Sequence, residues 1–500
     1  MEGEGRKSEK NVVSRRKFLS TVGGLAAVAA IGWGLAGYLS VFRPVERITE
    51  TKTITKTETK TLKETITKTI ISPSTTKTLE YPRLEGVTID FWTELVEEPR
   101  MEVLNAAADE FKKLTGITVN VVPVPEQEYP SRITAAYAAK KMPHVMEIPT
   151  YFIPEWLKEL DHEAATEVLE EIGKDDFPEF LLKHWFNPEA GDYYAIPWIP
   201  WVAELHYRKD WFEEAGLETP TDVISWDQIL SSAKTLHSPP DRYGIVFGNA
   251  KAHHYSQQSY FMFGFANEVQ LLDEDLNVRF DDEESIETLA FMQELKKYTP
   301  TGPNTDKDAW TLYPSWPGTL AMAMVNTYME FRIYNAAPEL IERNVSVPLI
   351  RKKIEAQYGE NYALGIFKTN ATPEQIEAAK AWCKWMLDSP YFVRLCGLVV
   401  FGLFPARKSI ALSDEYLSNP IVQAFGGRRK VEELLAAFAR MKVPAFAEGR
   451  GIVREFGPIW NKYLIADAVY EVCVEGRDPR ETAKRYAEKM REEVKKVRGS

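Results

Sequence analysis

Residues able to do chemistry are plentiful in this chain, but they are the wrong kinds at the wrong spacings for catalysis. There is no G-x-S-x-G elbow, no H-E-x-x-H, no phosphate-binding Walker loop and no G-x-G-x-x-G. His253-His254 has the residue types of a metal site. Adjacent side chains of an extended chain point to opposite sides, however, and no spaced third ligand follows, so a surface loop is expected and no metal. Glu97-Glu98 and Asp281-Asp282 read as solvated charges, although sequence order does not exclude a carboxylate pair of the kind that cleaves glycosides. Cys383, Cys396 and Cys473 have no metal-ligand spacing; a Cys383–Cys396 bridge is open, and small buried thiols are the expectation. No cofactor is implied. What stands out instead is 13 Trp, 22 Tyr and 24 Phe beside 73 Asp+Glu, a supply of flat apolar faces and hydrogen-bond acceptors suited to binding.

Such side chains need a rigid frame. The 500 residues exceed one typical domain, so two lobes are expected, and 44% hydrophobic residues suffice for sizeable cores. Val87–Trp92 reads as a strand, Arg100–Leu114 as a helix with apolar Leu104, Ala107, Ala108 and Phe111 at helical spacing and Gly116 as its cap. Ile117–Val122 is the next strand, Arg132–Lys141 a helix and Val145–Ile148 a third strand. Alternating strands and helices imply an α/β fold with a parallel sheet, whose ligands sit at the carboxyl ends of the strands. That edge would carry Trp92, Glu94 and Tyr151.

Ahead of this body lies a different kind of chain. Ser14-Arg15-Arg16-Lys17-Phe18-Leu19 precedes an uncharged run from Thr21 to Phe42, about the 20 residues needed to cross a bilayer core. Paired arginines before Phe-Leu fit a twin-arginine export signal, with the basic side kept cytoplasmic. Ala27-Val28-Ala29 offers a cleavage site, but the apolar run continues past it, so residues 1–42 are expected to stay as a membrane anchor, or to be lost from a secreted form if cleaved. From Thr49 to Thr69 every odd position is Thr except Lys63. This polar, β-branched composition makes residues 43–85 an extended stalk, with a strand or short coiled coil as the alternative. The net charge is −12, and the acidic excess lies in the body rather than in the basic leader, which argues against nucleic acid.

Several segments of the body resemble the extracellular solute-binding proteins of the maltose-binding type, the substrate-binding components of ABC importers. They are Phe111-Lys112-Lys113-Leu114-Thr115-Gly116-Ile117-Thr118-Val119, Gly191-Asp192-Tyr193-Tyr194-Ala195-Ile196-Pro197, Gly318-Thr319-Leu320-Ala321-Met322 and Gly402-Leu403-Phe404-Pro405-Ala406-Arg407. Their order, covering roughly 86–490, carries the resemblance. It implies a two-lobed periplasmic-binding-protein-like α/β fold with crossing hinge strands and the ligand between the lobes. Lobe 1 would take 86–197 and about 360–405, and lobe 2 would take 198–359 and about 406–500.

The resemblance further implies capture of a sugar or oligosaccharide outside the membrane, delivery to ABC permease subunits, and action as a monomer. A polyamine, peptide or metal ligand, or a glycan-active enzyme, are the alternatives. Aromatics beside the hinge and on lobe 2 would form the platform: Trp201 on the first crossing, Tyr328 after the Ala321-Met322 motif, Tyr260 beside Gln258, and Trp460. Trp316, in a Pro-rich loop with Trp310, and Glu330, a hydroxyl acceptor, complete the set with Trp92, Glu94 and Tyr151. Trp382 and Trp385 are expected in a core.

Overall fold

A computed structural model describes residues 79–125, 128–150, 155–447 and 451–499. The expected export segment, the expected stalk up to residue 78 and Tyr151 lie outside the described residues, whereas Leu79, Tyr81 and Leu84, expected in the stalk, pack on the body.

Strand β1 (Thr88–Thr93), helix α1 (Glu98–Thr115), β2 (Thr118–Pro123), α2 (Tyr129–Ala138) and β3 (Val145–Ile148) open the body. β1 pairs in parallel with β2 and β3, as the strand–helix alternation requires. Gly116 ends α1 at φ 78°, a left-handed conformation that a side chain would strain. The second helix begins at Tyr129 instead of Arg132, because Pro130 occupies its first turn, where a missing N–H costs nothing.

Helix α3 (His162–Ile172) follows on the first core, and two long strands then run through both halves of the molecule. β4 (Ile196–Arg208) is buried along its whole length and pairs antiparallel with β9 (Glu355–Ile366) over Ile196–Val202. Beyond that point β4 pairs with β6 (Met322–Asn326) and β7 (Asn344–Val347). β9 likewise joins β3 at one end and β8 (Leu349–Arg351) at the other, and β8 pairs with β5 (Val223–Ser225). Pro197 and Pro200 sit inside β4 beside a register shift between Tyr362 and Ala363, where the ladder can spare two donors.

Two apolar cores follow. One gathers Phe91, Phe111, Trp198, Trp382 and Phe404 around β1–β3, α7 (Pro373–Asp388) and α8 (Pro390–Leu398). It runs on past residue 405 through Tyr416, Leu434 and Val443, so α9 (Arg428–Phe438) packs on this side before β10 (Met441–Lys442) rejoins β9. The other gathers Tyr207, Phe247, Phe263 and Met324 with α4 (His254–Gly264), α5 (Glu283–Lys296), α10 (Leu464–Cys473) and α11 (Pro479–Arg498). Trp382 is fully buried, and Trp385 donates its indole N–H to the Ala107 carbonyl at 3.1 Å. Cys383 and Cys396 are separate buried thiols on α7 and α8, and Cys473 is a third. Among the described residues no helix is long and apolar enough to cross a membrane.

Candidate functional site

The ends of β1 and β6, the middle of β4 and β9, and the starts of α4 and α6 (Tyr328–Ala336) converge on two adjoining cavities. One, about 220 Å³, is lined by Glu94, Glu97, Arg100, Trp201, Tyr328 and Gly402 among others. The second, about 130 Å³, takes His254, Tyr255, Gln258, Asp306 and Trp310. Trp201, Asn326 and Tyr362 wall both, which makes them two compartments of one cleft. A larger cavity of about 410 Å³ lies between the 269–274 loop and the 439–446 segment. We place the site in the paired cavities because strand ends, where parallel sheets bind ligands, open there and not at the larger hollow.

Each wall has a local cause. β1 delivers Glu94 just past its last residue, and Thr93 and the Glu94 amide are pinned below it. Thr93 Oγ1 donates to Glu147 Oε2 at 2.5 Å and Glu94 N donates to the same oxygen at 3.1 Å. Burial pushes the Glu147 carboxyl, on β3 close under the site, up from 4.5 to about 7. Glu97 pairs with Arg100 Nη1 at 2.8 Å across the first turn of α1. Asn326 ends β6 and accepts the Tyr328 amide at 3.2 Å, turning the chain into α6. The Tyr328 ring then stands edge-on to Trp310 at 5.0 Å and stacks on Phe331 at 5.5 Å.

A Cβ at Gly402 would lie 3.0 Å from Val399 Cγ1 and 3.1 Å from Tyr328 Cδ2, closer than ordinary contact, so glycine lets the turn after α8 meet this ring without either neighbour shifting. Gln258 donates to Glu360 Oε1 at 2.9 Å, and Trp201 tilts over Tyr358 at 5.6 Å. The compartments thus offer aromatic rings, carboxylates, amides and one guanidinium. Among the described residues that line them there is no serine, threonine, cysteine or lysine.

Of the residues expected at the site, Glu94, Trp201, Gln258 and Tyr328 meet in this cleft. Five others are placed elsewhere. Trp92 is covered by the Arg132 guanidinium at 4.9 Å and lines neither compartment. Tyr260, two positions along α4 from Gln258, falls on the helix's inner face and is fully buried against Phe261 and Phe280. Trp460 is 3% exposed and packs on Phe456 in the same core. Trp316 is 45% exposed and lies between the guanidinium groups of Arg208 and Arg343, at the far end of β4. Glu330 is fully buried, with Lys430 Nζ 3.1 Å from its Oε1.

Asn326, Tyr362, Trp310, Asp306 and His254 were not expected there. Trp310 carried a signal only as the neighbour of Trp316 in a Pro-rich loop, and His254 only as half of a pair expected in an extended chain, where it does not lie. His253 caps α4 and His254 begins it, so the two rings stack at 4.6 Å instead of diverging.

Known proteins share this architecture. The YcjN protein of Escherichia coli (strain K12), named as an ABC transporter periplasmic-binding protein, is 24% identical over 415 residues, covering 81% of this chain and 93% of its own. A solute-binding protein from Agrobacterium radiobacter K84, solved with ribitol, superposes with a TM-score of 0.66 at 20% identity, covering 82% of this chain and 99% of that one. Maltose-bound MalE3 of T. maritima does so with a TM-score of 0.65 at 20% identity, covering 81% and 99%. These structures share the two-lobed α/β fold. The model of the bacterial extracellular solute-binding protein family matches residues 106–424, and with the paired cavities at the strand ends it settles the matter: this chain belongs to that family of ABC-type solute-binding proteins.

Proposed function

We propose that the cleft captures a neutral, polyhydroxylated molecule, a sugar, oligosaccharide or polyol, and that closure of the two halves presents it to an ABC permease. The observation that carries this is the meeting of Trp201, Tyr328, Trp310 and Tyr362 with Glu94, Asn326, Gln258 and Asp306 in one cleft. Ring faces and edges suit the C–H surfaces of a sugar, and the carboxylates and amides suit its hydroxyls. Structural neighbours bind ribitol, maltose, tagatose and mannitol, which supports the same class here. The leader and stalk, by their sequence, would tether the body outside the cytoplasmic membrane.

Calorimetric titration of the full chain with maltose, ribitol, an arabino-oligosaccharide and spermidine tests the proposal. Heat from at least one sugar or polyol is expected, and binding of spermidine alone would overturn it. Tyr328→Ala should weaken the bound sugar by roughly 1–3 kcal/mol, the range of other aromatic stacking platforms. If affinity is unchanged in both Tyr328→Ala and Trp201→Ala, the ligand lies on a different face.

A further inference from the structure

At the rim of the second compartment three ligand-type side chains come together from two elements. His253 and His254 start α4, and Asp306 starts the short helix Asp306–Leu312. His253 Nε2 lies 3.5 Å from Asp306 Oδ1, and His254 Nε2 lies 3.8 Å from Asp306 Oδ2. The three ligand atoms are all within 4.8 Å of one another. Zinc binds His nitrogen and carboxylate oxygen at about 2.0–2.2 Å, so tetrahedral ligand atoms stand roughly 3.4 Å apart. Both His–Asp separations are near that edge length but run to different Asp306 oxygens, so binding requires the two imidazoles and the carboxylate to turn toward one shared point.

We propose that His253, His254 and Asp306 bind a borderline-soft divalent ion of the zinc type, with an open coordination position facing the cleft. Two imidazoles and one carboxylate favour such an ion over magnesium or calcium, which prefer oxygen. Three protein ligands leave a fourth position for a water or a bound molecule, unlike the closed four-ligand structural site. His254 and Asp306 line the compartment beside Gln258 and Tyr362, so that position faces the space where a ligand hydroxyl would lie. Trp310 Nε1 donates to Asp306 Oδ2 at 3.3 Å and orients the carboxylate, a supporting bond of the kind found around bound metals.

Two features oppose the ion. The α4 amino terminus presents the positive end of its dipole, which the Asp306 charge offsets. His253 Nδ1 also accepts the Tyr255 amide at 3.3 Å, so ligation through Nε2 moves that ring's proton to Nδ1 and gives up a long cap bond. A second trio, Glu204, His206 and Glu330, has ligand spacing as well, but Lys430 already supplies its cation.

The inference rests on the proposed cleft only for what fills the open position; the ion itself can be tested alone. Zn²⁺ is titrated into the metal-stripped full chain in competition with a chromophoric chelator, with Co²⁺ absorption as a second readout. One equivalent is expected to bind. His254→Ala and Asp306→Asn should each weaken it by at least about tenfold with unchanged circular dichroism. His162→Ala, which removes a different His–Asp pair at 3.5 Å, should leave it intact. Absence of binding, equal binding in His254→Ala and Asp306→Asn, or equal loss in His162→Ala would each overturn the site. A chain that binds sugar but ignores Zn²⁺ would lose this inference and keep the carbohydrate proposal.

Discussion

Glu147 shows how one residue shapes the site without entering it. Its carboxyl is buried on β3, accepts from Thr93 and the Glu94 amide, and titrates near 7 because burial outweighs those bonds. A carboxyl raised above its unfolded value of about 4.5 makes the native state hold a proton that the unfolded chain releases. Stability from this group is therefore present below pH 4.5 and is lost as pH rises through about 7. His184, lowered by burial to about 3, and His206, lowered to about 4, act oppositely by losing stability as pH falls below 6.5. Whole-protein profiles mix these contributions, so the useful comparison is Glu147→Gln against wild type. In urea titrations at pH 5 and pH 8, the variant should gain on wild type by up to about 3 kcal/mol at the higher pH. A difference independent of pH would show that Glu147 is ionised in the fold.

At the scale of elements, α9 is fastened to the other half of the molecule by one buried cation. Lys430 Nζ donates to Glu204 Oε1 and Oε2 at 2.7 and 2.9 Å and to Ser346 Oγ at 2.8 Å, and lies 3.1 Å from Glu330. Burial works against its charge, but the two carboxylates hold its pKa above the ordinary lysine range. Burial raises Glu204 to about 7 despite the ammonium, and the Glu330 charge adds to that. Lys430→Met leaves both carboxylates in the core without a cation and should cost about 3–5 kcal/mol at pH 8. Glu204, raised to about 7, takes up a proton on acidification, so the loss should shrink at pH 5. A thermal unfolding series across this range checks it, and a pH-independent loss would mean that only packing was removed.

For the whole molecule, the design is two cores joined by β4 and β9, and Tyr328, on a helix whose Met329 and Ile333 belong to the second core, packs against the first beside Gly402. If ligand draws these halves together, small-angle scattering of the full chain should show a smaller radius of gyration with the bound sugar than without it. Gly402→Val inserts a branched side chain at this contact. It should reduce ligand affinity and the scattering change together. Full closure in Gly402→Val would show that the contact does not limit it.

Local chemistry wrote much of this into the sequence. Alternating strands and helices, Gly116 as a cap, and Pro197 and Pro200 in a crossing strand depend on residues near one another, and the motifs around them carried the family. The strand end for Glu94, and the family resemblance for Trp201, Gln258 and Tyr328, pointed to the same candidate cleft into which the fold brings these four residues. Tertiary structure alone decided the rest. Tyr260 and Trp460 have suitable side chains, but the packing of α4 and the C-terminal helices turns them into a core. Glu330 is claimed by Lys430, a residue 100 positions away in sequence. Asp306 meets His253 and His254 only because two helix starts face one another, a juxtaposition that no local spacing encodes. Backbone preference and hydrophobic period act over a few residues, whereas charge pairing and the shape of a cleft arise between segments brought together by folding.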